Sequence, residues 1–424
     1  MIAVDLLVLH AGQLLTCASP HGPKRKAEML DTGLIEDGAV AILDGKIVEA
    51  GPSSQLLPKY SPAARLDAAG KVVCPGFVDP HTHVVYAGNR VNEFELRIQG
   101  ASYMEIMAAG GGIVSSARAV QAASLAQLVA ETQPRLDAML RLGTTTVEIK
   151  TGYGLNVESE LKLLQAIEQL AGSHACTLVP TFLGAHAIPA EYKADPEQYV
   201  RLVVEEMLPR AAAWYAQSSF KSAGIPFCCD VFCELNAFSL NQSRRILQAA
   251  QSLGLAVKIH ADEFTPLGGV TLAVESHALS ADHLDVTTPA ERALLANSDT
   301  VGVLLPAVNF NLGSAHFADA RALLDAGCAV ALSTDINPGS APCPSMPLVM
   351  AIAARYQHML PAEALNASTI NAAYAIGMAG KVGSIETGKQ ADLLILNIGD
   401  YRQLSYQFGD NLVQTVIKNG VVRA

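Results

Sequence analysis

The stretch Val72-Val73-Cys74-Pro75-Gly76-Phe77-Val78-Asp79-Pro80-His81-Thr82-His83 is an apolar run that ends in two histidines one residue apart. In an extended strand alternate side chains share a face, so His81 and His83 project together. Two imidazoles at the end of a buried strand can chelate a divalent transition metal. The competing reading has one histidine capping the strand and the other packed against a loop. Further ligands arriving at the same place from later segments would decide between them.

Beyond this run the middle of the chain alternates two patterns. The apolar strand-like segments Thr144–Ile149, Cys176–Leu183, Phe227–Phe232, Leu255–Ile259, Ala278–Leu284, Val301–Val308 and Cys328–Leu332 follow Val72–Val78. Amphipathic helical stretches such as Glu158–Leu170, Asn241–Leu253, Pro289–Ala296 and Ala318–Ala326 lie between most of them. Eight strands with helical crossovers predict an α/β fold, a parallel (β/α)8 barrel of the TIM type. An open doubly wound sheet is the alternative, but no G-x-G-x-x-G follows the first strand. Gly110-Gly111-Gly112 reads as a flexible loop rather than a phosphate cradle.

The two ends of the chain differ from the middle. Leu6–Leu9 and Gly38–Leu43 read as strands, and Asp44-Gly45 as a hairpin turn into Lys46–Val48. Ala391–Leu396 and Val413–Ile417 read as strands too, with Asn419-Gly420 as a second hairpin turn. The polar region Pro20–Glu36 reads as a surface loop. A small β-sandwich built from both termini is therefore expected, its parts being residues 1–74 and 379–424, with the barrel at 75–378.

Composition narrows the function. Half of the 424 residues are hydrophobic and 16% are charged, as in a compact enzyme. A formal net charge of -11 argues against nucleic acid as a partner. No apolar run approaches the ~20 residues that span a bilayer, and Met1–Asp5 has none of the marks of a signal peptide, so no membrane partner and a cytoplasmic placement are expected. Most of the eight cysteines lie in or beside apolar runs and read as buried thiols.

In a barrel of this kind the C-terminal strand ends converge on one mouth. Those ends carry His81 and His83, then Glu148 to Gly154, His186, Glu234, His260 to Glu263, Asp282-His283, and Asp335 to Ser340. His10, His21 and His358 lie in the terminal β region, a loop and a late helix, and read as structural. His81, His83, His260 and Asp335 offer three nitrogens and one carboxylate with a position left for water, a set that suits zinc or ferrous iron. A metal so held lowers the pKa of its water to about 7. Taken alone, His260 could be a buried histidine donating to a carbonyl, and Asp335 a turn residue before Asn337-Pro338-Gly339.

The run PGFVDPHTH, the later histidines and the aspartate resemble the amidohydrolase superfamily. Within it HTHVVYAGNR (81–90), EIKTGYGL (148–155), TFLGAHAIP (181–189), KIHADEF (258–264) and STDINPGSAP (333–342) resemble the imidazolonepropionase family, over essentially the whole chain. Members of that family often have serine where this chain has Thr151. The resemblance implies one metal ion and hydrolysis of the cyclic amide of 4-imidazolone-5-propanoate, a small-molecule substrate, to N-formimidoyl-L-glutamate in histidine degradation. It also implies a homodimer. His283 is expected beside the metal-activated water, orienting it. Glu263 is expected to touch a ring nitrogen and assist proton transfer, and Asp335 to relay the proton of the water. Arg90, a planar guanidinium, is the expected carboxylate clamp. Tyr153, His186, Asn337, Gly339 and Ser340 are expected substrate contacts. The rivals are a deaminase of the same superfamily, acting on a purine-like or other heterocycle, and a non-enzymatic barrel that serves assembly.

Overall fold

The computed structural model describes residues 1–101, 105 and 111–423. β1 (Ile2–Leu15) pairs antiparallel with β2 (Leu34–Leu43), which turns at Asp44-Gly45 into β3 (Lys46–Pro52). Both turn residues have positive φ, 51° and 71°, the geometry of a tight hairpin. Along its other edge β1 pairs in parallel first with β4 (Tyr60–Asp67) and then with β5 (Val72–Pro75). The switch falls at His10, where φ is 52° and the register against β2 slips between Val8 and Ala11.

The barrel follows. Its strands are β6 (Phe77–Asp79), β7 (Thr144–Lys150), β8 (Thr177–Ala185), β9 (Cys228–Cys233), β10 (Ala256–Ala261), β11 (Ser280–His283), β12 (Val301–Leu304) and β13 (Val330–Leu332). Each pairs in parallel with the next. Helices between them start at side-chain caps: Asn156 accepts from the amide of Ser159, Ser239 from Gln242 and Thr288 from Glu291. The chain then returns to the first sheet as β14 (Leu393–Leu396), β15 (Val413–Lys418) and β16 (Val421–Val422), with β14 antiparallel to β5. Val8, Leu14, Val40, Ile47, Leu393 and Ile417 share one apolar core, so the two ends of the chain make a single β-sandwich.

Two expectations need correction. The run Val72–Val78 is not one barrel strand: it breaks at Gly76, with β5 in the sandwich and β6 in the barrel. Gly76 donates its amide to the Asp392 carbonyl (2.9 Å), and a Cβ there would lie 2.3 Å from Thr145 Oγ1. Apolarity marks burial but not which sheet buries it. Nor is Pro20–Glu36 merely a surface loop. Met29 is fully buried, and Arg25 binds the carbonyls of Ala296 (3.2 Å), Ser298 (2.6 Å) and Gly327 (3.0 Å) below β12 and β13. The Asn371 amide accepts from and donates to the Lys24 backbone, strapping the segment to the barrel. His358 lies in the turn after helix Met346–Tyr356. Gly110, first of the glycine run, lies outside the described residues, while Gly112 precedes helix Ile113–Ala122.

The barrel is fastened between β13 and β6 by Asp79. Its carboxylate accepts from Ser333 Oγ (2.5 Å), Thr334 Oγ1 (2.5 Å) and the Thr334 amide (3.1 Å). Above it the Asp335 amide donates to the His81 carbonyl (3.2 Å) and the His83 amide to the Ile336 carbonyl (3.0 Å). Burial pushes the Asp79 carboxyl up to about 6, with the Ser333 and Thr334 hydrogen bonds acting in the other direction. Asp79→Ala is expected to destabilise the chain by about 3 kcal/mol or more, because buried donors lose their acceptor. Urea unfolding is the check, and a midpoint matching the parent would leave the fastening without energetic weight.

Candidate active site

The floor of the site is a set of buried charges. Alternation along β7 and β10 turns Glu148 with Lys150, and Lys258 with His260, to the same face of each strand. Lys150 Nζ lies 2.8 Å from both Glu148 Oε1 and Asp230 Oδ2. Lys258 Nζ donates to the Pro80 carbonyl (2.6 Å) and lies 3.6 Å from Asp282 Oδ2. All five charged side chains are sealed from solvent. Burial works against the charge on Lys150, but Asp230, Glu148 and Asp282 outweigh it and raise the ammonium above its ordinary range.

The histidines stand on this floor. His81 Nδ1 lies 2.6 Å from Asp282 Oδ2, and His260 Nδ1 lies 3.0 Å from Asp230 Oδ2. For His81 the hydrogen bond at Nδ1 fixes the tautomer and turns the Nε2 lone pair the other way, while at His260 the Asp230 carboxylate is a close charge contact. His81 Nε2 and His83 Nε2 each lie 3.5 Å from Asp335 Oδ1. Burial, first of all, and the neighbouring cationic groups push the imidazoles of His81 and His83 well below their ordinary pKa, so both rings are neutral.

Whether these residues suit a metal is tested by the atoms left over. His81 Nε2, His260 Nε2 and Asp335 Oδ1 are buried with no hydrogen-bond partner. Buried polar atoms in that state are rare because each costs about 1–3 kcal/mol. Ligand atoms of His81, His83 and His260 all lie within 4.8 Å of one another, and so do those of His81, His283 and Asp335. The structure thus brings the four expected ligands and His283 together as two triads that share His81. The donor set fits a divalent ion.

A cavity of about 390 Å³ opens above this cluster. Arg90, Tyr153, His186, Glu263, Asn337 and Ser340 line it. Gly339 instead backs onto Arg90: a Cβ there would fall 2.1 Å from Arg90 Nη1. The Asn337 side chain is engaged within its own loop, donating to the Asp335 carbonyl (2.7 Å) and accepting from the amides of Gly339 and Ser340 (2.8 Å each). His186 stacks on His83 with ring centres 4.8 Å apart, and burial, followed by the nearby His260, lowers its pKa to about 3. Burial and then Asp335 push the Glu263 carboxyl well up, and its Oε2 lies 3.7 Å from His283 Nε2.

Sequence reasoning assigned no role to several residues. Asp230, Lys258 and Asp282 carried a signal, since each interrupts an apolar strand with a charge. Glu93 and Arg97 carried none, because an E-x-x-x-R spacing on a helix usually marks a solvated face. Here Glu93 is buried, and Arg97 lines the cavity.

Residues 72–423 match the model of the amidohydrolase family. The chain is 56% identical over 418 residues to the imidazolonepropionase of Chloroflexus aggregans, covering 99% of this chain and 98% of that one. The corresponding figures for the imidazolonepropionase of Herpetosiphon aurantiacus are 52% identity, 99% and 97%. Among solved structures, an adenosine deaminase from Xanthomonas campestris with bound zinc superposes with a TM-score of 0.73 at 21% identity, covering 99% of this chain and 93% of that one. The E. coli guanine deaminase does so at 0.68 and 15% identity, covering 99% of each chain. At such identities the deaminases share the fold alone. The chain belongs to the amidohydrolase family. Within it, it belongs with the imidazolonepropionases.

Asp230→Asn is expected to weaken metal binding about 10- to 100-fold, because His260 loses the partner that orients it. Competition dialysis followed by metal analysis measures it; unchanged affinity would remove Asp230 from any orienting role. Asp285, half-buried beneath Asn309 Nδ2 (3.0 Å) and the Ala318 amide (3.1 Å), is pushed up to about 7 by desolvation of its carboxyl. Between the usual aspartate value of about 4 and this one, the folded chain keeps a proton that the unfolded chain has released. Asp285 therefore makes stability fall as pH rises through that window. Denaturation of Asp285→Asn at pH 5, 6 and 7 should show a shallower fall than the parent.

Proposed function

We propose that the chain hydrolyses the ring amide of 4-imidazolone-5-propanoate to N-formimidoyl-L-glutamate, with one zinc or ferrous ion held by His81, His83, His260 and Asp335. The observation that carries this reading is the placement of the Arg90 guanidinium on the wall of a cavity whose base is the histidine cluster. A substrate with a carboxylate at one end and a ring carbonyl at the other matches that pair. When bound, the ion supplies positive charge that polarises the ring carbonyl and acidifies water.

The chain's own residues do the rest. Arg90 binds the propanoate and so sets the ring over the cluster. The Asp335 carboxylate takes the proton of the attacking water and passes it to the ring nitrogen as the C–N bond breaks. His283 orients the water and stabilises the oxyanion that forms at the carbonyl. Glu263, its carboxyl raised by burial, hydrogen-bonds a ring nitrogen and steadies the ring while that proton is transferred. Tyr153 and His186 close the sides and exclude water. The net charge of -11 does not oppose an anionic substrate, because local guanidinium groups set the field inside the cavity. A homodimer working in the cytoplasm completes the proposal. Among the described residues no helix is long and apolar enough to cross a membrane.

The test is a coupled assay in which urocanase makes the unstable substrate in place. Turnover by the metal-loaded chain is expected, with KM raised about 10- to 100-fold in Arg90→Ala, the loss of a charge-assisted hydrogen-bonding group. Absence of turnover would sink the proposal. Deamination of a purine-like base with unchanged kinetics in Arg90→Ala would favour the deaminase in its place.

A further inference from the structure

Arg90 is not the only guanidinium on the cavity wall. Helix Val91–Ile98 starts directly after it and carries Arg97 in its last turn. Seven residues make about two helical turns, so Arg90 and Arg97 rise from one side of the helix, and both line the cavity. Glu93 sits between them, and both its oxygens are engaged. Oε2 takes Arg90 Nε at 2.8 Å and Nη2 at 2.6 Å, while Oε1 accepts the Gly112 amide at 3.1 Å.

Arg97 is left differently. Its Nη1 is buried and has no hydrogen-bond partner among the described residues. Burial and then the nearby Arg90 depress its pKa, whereas Glu93 offsets only part of this. Two guanidinium groups and one carboxylate leave this wall with a net positive charge. A buried N–H without an acceptor, on a cationic wall, calls for an anionic acceptor from the cavity side.

We propose that Arg97 is the second arm of the substrate clamp, its Nη1 bonded by the carboxylate of the bound molecule, while Glu93 holds and aims Arg90 as the first. Arg97 is then a specificity-determining residue for carboxylate-bearing substrates. The proposal rests on the reading that the substrate carries a carboxylate.

The test compares the metal-loaded parent chain with Arg97→Met and Arg97→Lys. Each is assayed with urocanase-generated 4-imidazolone-5-propanoate, then for inhibition by 3-(imidazol-4-yl)propanoate and by the neutral amide of that acid. Arg97→Met is expected to raise KM and the inhibition constant of the acid about 10- to 100-fold, with kcat nearly unchanged and the amide bound as before. Arg97→Lys should recover part of the loss. Unchanged KM and acid inhibition in Arg97→Met would overturn the proposal. So would equal weakening of acid and amide, since a structural role would not distinguish them. If the parent chain fails to turn over the imidazolone, the functional reading falls. Arg97 still stands in that case if Arg97→Met abolishes the preference for acid over amide, and falls if the preference persists.

Discussion

Lys150, 2.8 Å from both Glu148 and Asp230 inside the barrel, is the interaction on which the site depends. Buried ion pairs are poor stabilisers, since desolvation costs several kcal/mol per ion and well-packed apolar residues would often do as well. What the floor provides is orientation. Asp230 Oδ2 lies against both Lys150 and His260, and Asp282 Oδ2 against both Lys258 and His81. Each carboxylate therefore fixes one imidazole through a lysine that cannot move without exposing an unpaired charge. The three carboxylates outnumber the two lysines, so a cation above the floor is electrostatically favoured where a neutral cluster would not be.

The mouth is shaped by backbone strain laid over this rigid floor. Asp262, His283, Leu284 and Asp335 all have positive φ, at 58°, 86°, 66° and 51°. Non-glycine residues reach that region at a cost of about 1–2 kcal/mol each, so other contacts must hold them there. The Asp335 amide is fixed to the His81 carbonyl (3.2 Å), the Leu284 amide to the Ala261 carbonyl (3.2 Å) and the Val286 amide to the Asp262 carbonyl (3.0 Å). These bends turn the chain sharply out of β10, β11 and past β13. Side chains that would otherwise lie along the strands are delivered to the mouth instead.

The barrel was legible because its signals are local: an apolar run, a polar amphipathic stretch, a histidine or acid at each strand end. The hairpins at Asp44-Gly45 and Asn419-Gly420 were legible for the same reason. The break at Gly76 was not, because it depends on how closely Thr145 approaches from another strand. The buried role of Pro20–Glu36 escaped notice because its partners, Asn366 and Asn371, lie more than three hundred residues away. Arg90 could be singled out from its motif, but its pairing with Glu93 is a matter of side-chain direction, and the approach of Gly339 a matter of tertiary packing.

That pairing bears on how the cavity can discriminate. On the proposed reading Arg90, aimed by Glu93, holds the carboxylate, and the Arg97 Nη1, which has no hydrogen-bond partner among the described residues, rewards that carboxylate and penalises its absence. Rejection by an unsatisfied buried group is the stronger device: sites built to bond a polar group exclude analogues lacking it far better than apolar pockets exclude a misfit. A heterocycle without the side-chain carboxylate could still reach the histidine cluster. It would leave the buried Nη1 of Arg97 without an acceptor among the described residues. On the proposed reading, the histidines and Asp335 therefore define what bond is broken, and the cationic wall on helix Val91–Ile98 defines whose bond it is.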